Sequence, residues 1–172
     1  MKKLLSLAVL LLVLILLFFL KDCAKTQTFP DVPSMEKKIA KELNAAQVSV
    51  FDMQDIGGYR IVGYAADTDC SFAVFKQNEK GKYTFDFVKK AEKLIKRAEN
   101  IGVGYHDTYW IAVSGNPALR TIRFEIDSRS GVKYETVTLD VVENPSIRII
   151  EMPTENFEGE YNFYDGEGNL IQ

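Results

Sequence analysis

The chain has 172 residues, 47% of them apolar and 26% charged, with a net charge of −3 at neutral pH. Its first 25 residues carry Lys2, Lys3, Lys21 and Lys25 against Asp22, which leaves −6 on the remainder. That acidity lacks the clustered positive charge that displaces counterions, so nucleic acid is excluded as a partner, and one histidine with two distant cysteines excludes a disulfide framework and the usual zinc spacings.

Leu4 to Leu20 is apolar at every position except Ser6. As a helix it measures roughly 26 Å, slightly short of the ~30 Å hydrocarbon core. Snorkelling of Lys2, Lys3 and Lys21 covers the difference. A cleaved signal peptide is the rival reading, but the run ends in Phe18-Phe19-Leu20-Lys21-Asp22-Cys23-Ala24, where both candidate cleavage pairs contain a charge. Cys23 raises a lipoprotein alternative, against which Lys21 and Asp22 stand where small residues are required. The expectation is an uncleaved anchor in residues 1–23, with Lys2 and Lys3 inside, so that the chain is a single-pass membrane protein with its bulk extracytoplasmic. Secretion or lipidation is the alternative.

Residues 24–33 hold two prolines and no apolar period, and they read as a stalk; residues 34–172 form the folded part. Met35, Ile39 and Leu43 recur at helical spacing after a cap at Asp31 or Ser34, which predicts a helix ending near Ala46. The period then changes to two. Strands are expected over Val48–Met53, Tyr59–Ala66, Cys70–Lys76 and Lys82–Phe87, joined by short turns and therefore antiparallel. Val88, Ala91, Leu94, Ile95, Ala98 and Ile101 return to helical spacing, with Gly102 as the stop, which predicts a second helix over 88–102. Further strands follow at Tyr109–Ser114, Ala118–Ile126, Val132–Val141, Ile147–Met152 and Tyr161–Tyr164.

The expected fold class is therefore α+β: a transmembrane helix, then a mainly antiparallel β-meander with two packed helices, divisible into two units near 88–102. A β-sandwich or barrel with accessory helices is the alternative. Asn116-Pro117-Ala118-Leu119-Arg120-Thr121-Ile122 echoes Asn144-Pro145-Ser146-Ile147-Arg148-Ile149-Ile150. The echo is either a duplicated ligand loop or two turns opened by Asn-Pro, and the turn reading is favoured.

The chain is poor in catalytic equipment. His106 has Asp107 beside it in sequence, where the side chain points elsewhere, and Ser114 lacks the glycine that a nucleophile elbow requires. Asp67 and Asp69 near Cys70 oppose a thiolate. No catalytic residue, metal or cofactor is expected. Two sets point to binding instead. Tyr105, Tyr109 and Trp110, with Tyr59, Tyr64 and Tyr83, suit a sugar or peptide groove or else core packing. Lys89, Lys90, Lys93, Lys96 and Arg97 make a basic face suited to anionic headgroups or wall polymers, or to ordinary solvation. Glu151, Glu155, Glu158 and Glu160 form an acidic stretch read as a solvated loop, and Asp165-Gly166-Glu167-Gly168-Asn169 as a hairpin turn.

The plan of lysine start, anchor, stalk, helix and meander is similar in architecture to membrane-anchored cystatin-like or PepSY-type extracytoplasmic proteins of bacteria. The likeness transfers no residue's role; it implies a non-enzymatic part. The leading expectation is a membrane-anchored interaction domain that binds an envelope protein or cell-wall ligand. The alternatives are a small hydrolase using two converging carboxylates and a purely structural envelope component.

Overall fold

The computed structural model describes residues 27–94, 96–128, 134–152 and 157–172. The apolar segment 4–20 and Cys23 lie outside them. Among the described residues no helix is long and apolar enough to cross a membrane.

Helix α1 (Val32–Leu43) starts where Asp31 Oδ1 accepts from Ser34 N at 2.9 Å, with Pro33 in the first turn, where a missing N–H costs no helical bond. Met35 and Ile39 are fully buried, and the helix stops at Asn44, whose backbone turns left-handed at φ 56°. Four strands follow as an antiparallel meander: β1 (Ser49–Ile56), β2 (Tyr59–Ala66), β3 (Asp69–Gln77) and β4 (Tyr83–Val88), lying side by side in chain order. These elements match the expected helix and four strands closely.

The second half departs from expectation. Among the described residues of 88–102 there is no α-helix. A 3-10 turn (Ala91–Lys93) is followed by the short strand β5 (Lys96–Ala98), a turn at Glu99–Asn100 with Asn100 at φ 57°, and β6 (Ile101–His106). Gly102 is not a helix stop but a hollow. A Cβ there would collide with the Leu94 side chain, and one at Gly104 would lie 2.6 Å from Phe72 Cε1. The apolar residues at helical intervals are thus distributed over a strand end, a 3-10 turn and a hairpin, where sheet packing outweighs local spacing.

β7 (Tyr109–Ser114) and β10 (Ser146–Glu151) complete a second sheet, ordered β10-β7-β6-β5. β8 (Thr121–Ser128), β9 (Tyr134–Asp140) and β11 (Phe157–Tyr164) form a third, ordered β11-β8-β9. Every described pairing is antiparallel, and none of the three sheets closes into a barrel.

Three apolar clusters bind these layers in series. Met35, Ile39 and Phe29 pack with Val62, Tyr64, Ala73 and Phe75 between α1 and the first sheet. Ile61, Phe72 and Val74 meet Leu94, Ile111, Val113 and Ile147 between the first and second sheets. Trp110, Ala112 and Val103 meet Phe124, Ile122, Tyr161 and Phe163 between the second and third. The order is helix, sheet, sheet, sheet. β3 and β7 are therefore buried on both faces, which explains why Phe72 to Phe75 and Trp110 to Val113 are apolar throughout.

Polar groups also join the layers. Asp52 Oδ2 accepts from Ile147 N and Gln54 Nε2 donates to Ile147 O, both at 2.9 Å, so β1 satisfies the outer edge of β10. The two Asn-Pro segments meet rather than forming separate loops. Asn116 Oδ1 accepts from Ala118 N at 2.8 Å within its own turn, and Asn144 Nδ2 donates to Leu119 O at 3.0 Å.

Candidate functional site

The β6–β7 hairpin carries the three aromatic residues expected to bind a ligand, and alternation along its strands divides them. Trp110 faces the third sheet, 9% exposed, stacked on Tyr161 at 4.4 Å and packed on Phe124 at 4.8 Å. Tyr109 faces the other way, 8% exposed, with its hydroxyl against Gly57 at the β1–β2 turn. Tyr105, paired across the hairpin with Trp110, is 55% exposed. The three do not line one groove.

The basic set is also rearranged. Lys89 and Lys90 follow β4, Lys93 ends the 3-10 turn, and Lys96 and Arg97 lie in β5, so no helical face gathers them. One member of each set does meet, however: Lys89 Nζ lies 5.6 Å from the centroid of the exposed Tyr105 ring. An ammonium over an aromatic face is attracted by the ring quadrupole, which holds Tyr105 on the surface against Lys89.

His106 is next to Tyr105 but on the opposite face of β6. Its ring is wedged edge-on to Tyr59 at 4.6 Å and against Phe87 at 5.0 Å. Nε2 is buried without a hydrogen bond among the described residues, 3.7 Å from Asp86 Oδ2. Burial lowers the imidazole's pKa below its ordinary value, opposed by the Asp86 and Asp107 carboxylates and aided by Lys76. The ring therefore acts as a packed side chain between the first two sheets.

The other nucleophile candidates are similarly occupied. Cys70 is buried, its backbone N–H donates to Asn100 Oδ1 at 3.1 Å, and burial raises its thiol pKa, so thiolate is disfavoured. Ser114 Oγ accepts from Asn116 N at 3.1 Å inside a turn. Among the described carboxylates with a resolved shift, Asp31, Asp55 and Asp165 are all held below the usual range, through bonds to Ser34, Arg60 and Asn169 respectively. A general acid would need the reverse. No group of three or more metal-ligating side chains gathers among the described residues. Asp165 caps its own turn, accepting from Glu167 N at 2.9 Å and Asn169 N at 2.8 Å.

Sequence reasoning did not find Asp52, Gln54 or the pairing of Tyr105 with Lys89. Asp52 is a polar residue on an expected strand with no pattern that marks its partner, Gln54 lies just past the expected strand end at Met53, and Lys89 falls in the segment that spacing reads as a helix. Compared with protein-family models, characterised proteins and solved structures, the chain has no significant match.

Proposed function

We propose that this chain is a membrane-tethered, extracytoplasmic interaction domain without catalytic activity. Residues 4–20 serve as the tether, and the exposed Tyr105 with Lys89 forms the centre of a contact surface for an envelope protein or wall polymer. The observation that supports this reading is the contrast on one strand. Tyr105 is exposed beneath a cation, while the adjacent His106 is spent in packing, its Nε2 without a hydrogen-bond partner among the described residues. Exposed aromatics paired with a basic group are suited to contact, since they supply large area at low entropy cost.

The test uses the full chain in vesicles. Alkaline extraction should leave it in the membrane fraction. Cross-linking in intact envelopes should then capture a partner or glycan with the parent chain, and several-fold less with Tyr105→Ala/Lys89→Ala. Release of the chain by alkali would overturn the tether. Equal capture by parent and variant would overturn the contact surface.

A further inference from the structure

A strand at the edge of a sheet presents unpaired backbone groups, and folded proteins cover such edges or blunt them with proline, lysine, a bulge or shortness. Among the described residues, most edges here carry such a device. On β1, Glu36 Oε1 accepts from Val50 N at 2.9 Å, and the register shifts between Val50 and Asp52. β4 is met by Thr28 and by Phe29 N, which donates to Tyr83 O at 2.9 Å. β10 is met by Asp52 and Gln54. On β11, Leu170 bridges Tyr164 and Ile171 N donates to Phe163 O at 2.8 Å. β5 is only three residues long.

β9 differs. It is a seven-residue edge of the third sheet, with neither proline, lysine nor glycine. Among the described residues, the bond reaching it from beyond β8 is Arg148 Nε to Asp140 O at 3.2 Å, on its last carbonyl.

We propose that β9 pairs with β9 of a second copy of this chain, antiparallel about a two-fold axis at Val137, joining two three-stranded sheets into one of six. The register favours a second copy. Centred on Val137, all seven residues find a partner inside the strand: Val137 meets itself, Thr136 meets Thr138, Glu135 meets Leu139, and Tyr134 meets Asp140. Neither acid opposes an acid, and cross-strand Thr–Thr pairs are favourable. Val137 and Leu139 pack toward the core while Thr136 and Thr138 are exposed, so this register keeps both cores on one side of the joined sheet. Moving the axis to Thr136 or Thr138 leaves two residues of each strand without a partner in the other.

Two paired strands bury less than the ~1,000 Å² that a lasting interface needs, so pairing in dilute solution is weak. Holding both copies in one bilayer raises their effective concentration; in that respect the inference rests on the tether proposed above.

The test again uses the full chain, with Cys23→Ser, in two tagged forms, one carrying Thr136→Cys and the other Thr138→Cys. Co-reconstituted in neutral-lipid vesicles and mildly oxidised, the mixture should yield disulfide-linked mixed dimers several-fold above either form alone. The single forms offer only diagonal pairs, about 7–8 Å apart. Energy transfer between labelled copies should fall when both carry Thr136→Lys/Thr138→Lys. It should return when one copy carries instead Thr136→Glu/Thr138→Glu. Equal cross-linking in mixed and single-form vesicles, or energy transfer indifferent to the lysines, overturns the proposal. Alkaline extraction of the same vesicles reports on the tether separately. If the chain is released, the mixed-form excess must still appear at high protein concentration in solution, and its absence there overturns the pairing.

Discussion

The middle sheet is covered on both faces, and the two covers are built differently. Toward the first sheet, β6 has no side chains at Gly102 and Gly104, so Leu94 and Phe72 lie against its backbone. Toward the third sheet, β7 presents Trp110, held in a cluster with Phe124 and Tyr161 whose ring centroids lie 4.2–4.8 Å apart. The first interface depends on atoms being left out, the second on atoms being put in. The first should resist additions and the second deletions.

The strongest way to break this contrast is Trp110→Ala. Removing a buried indole from a packed aromatic cluster should cost about 3–5 kcal/mol, read as a lowered denaturant midpoint with unchanged slope. A loss under ~1 kcal/mol would mean the third sheet does not depend on that cluster. Gly104→Ala comes next. The added methyl would stand 2.6 Å from Phe72 Cε1 and should cost about 1–3 kcal/mol. Combining it with Phe72→Leu should recover part of that loss, and strict additivity would show that the two sites do not touch.

His106 sharpens the first interface through pH. Its folded pKa lies below the ordinary 6.5, so the unfolded chain binds more protons as the solution is acidified. The stability conferred by the neutral ring is full above the unfolded pKa and is lost as pH falls through the folded value. Stability curves for the parent should therefore fall more steeply below pH ~6.5 than those of His106→Gln. Parallel curves would place the ring in solvent. The smallest effect is expected at the second interface. The Tyr161 hydroxyl is buried without a hydrogen bond among the described residues, and burial raises its pKa steeply. Tyr161→Phe should be neutral or stabilise by up to ~1 kcal/mol, and a clear loss would reveal a partner for the hydroxyl.

Much of the fold was legible because its signals are local. Tyr59–Ala66 and Tyr109–Ser114 are strands with the expected bounds, and Asp31 caps α1 as its side-chain chemistry suggests. The error over 88–102 arose where local and non-local signals compete. Ala91 and Leu94 recur at helical spacing because both are buried, but Leu94 is buried over Gly102 in a strand that comes later in the chain. Nothing near Leu94 announces that hollow. The candidate site was less legible still. Tyr105, Tyr109 and Trp110 are neighbours in sequence, but alternation turns Tyr109 to the other face, and Tyr105, opposite Trp110 in register, is exposed where Trp110 is covered. Lys89 follows β4 of the first sheet and Tyr105 lies on β6 of the second, so their contact depends on tertiary structure that no local pattern announces.

The bonds from Asp52 and Gln54 to Ile147 span 95 and 93 residues of chain. That separation imposes an order of assembly. A growing chain that has not yet reached β10 can complete α1 and the first sheet from neighbouring segments alone. It then stands with Ile61, on the face that Ile147 will cover, still without that partner. Contacts so distant in sequence close late, because their loop entropy is lost before they contribute. The apolar face of the first sheet is thus closed in steps, first by Leu94, Ile111 and Val113 and last by Ile147, and until that last strand arrives part of it is open to misassembly.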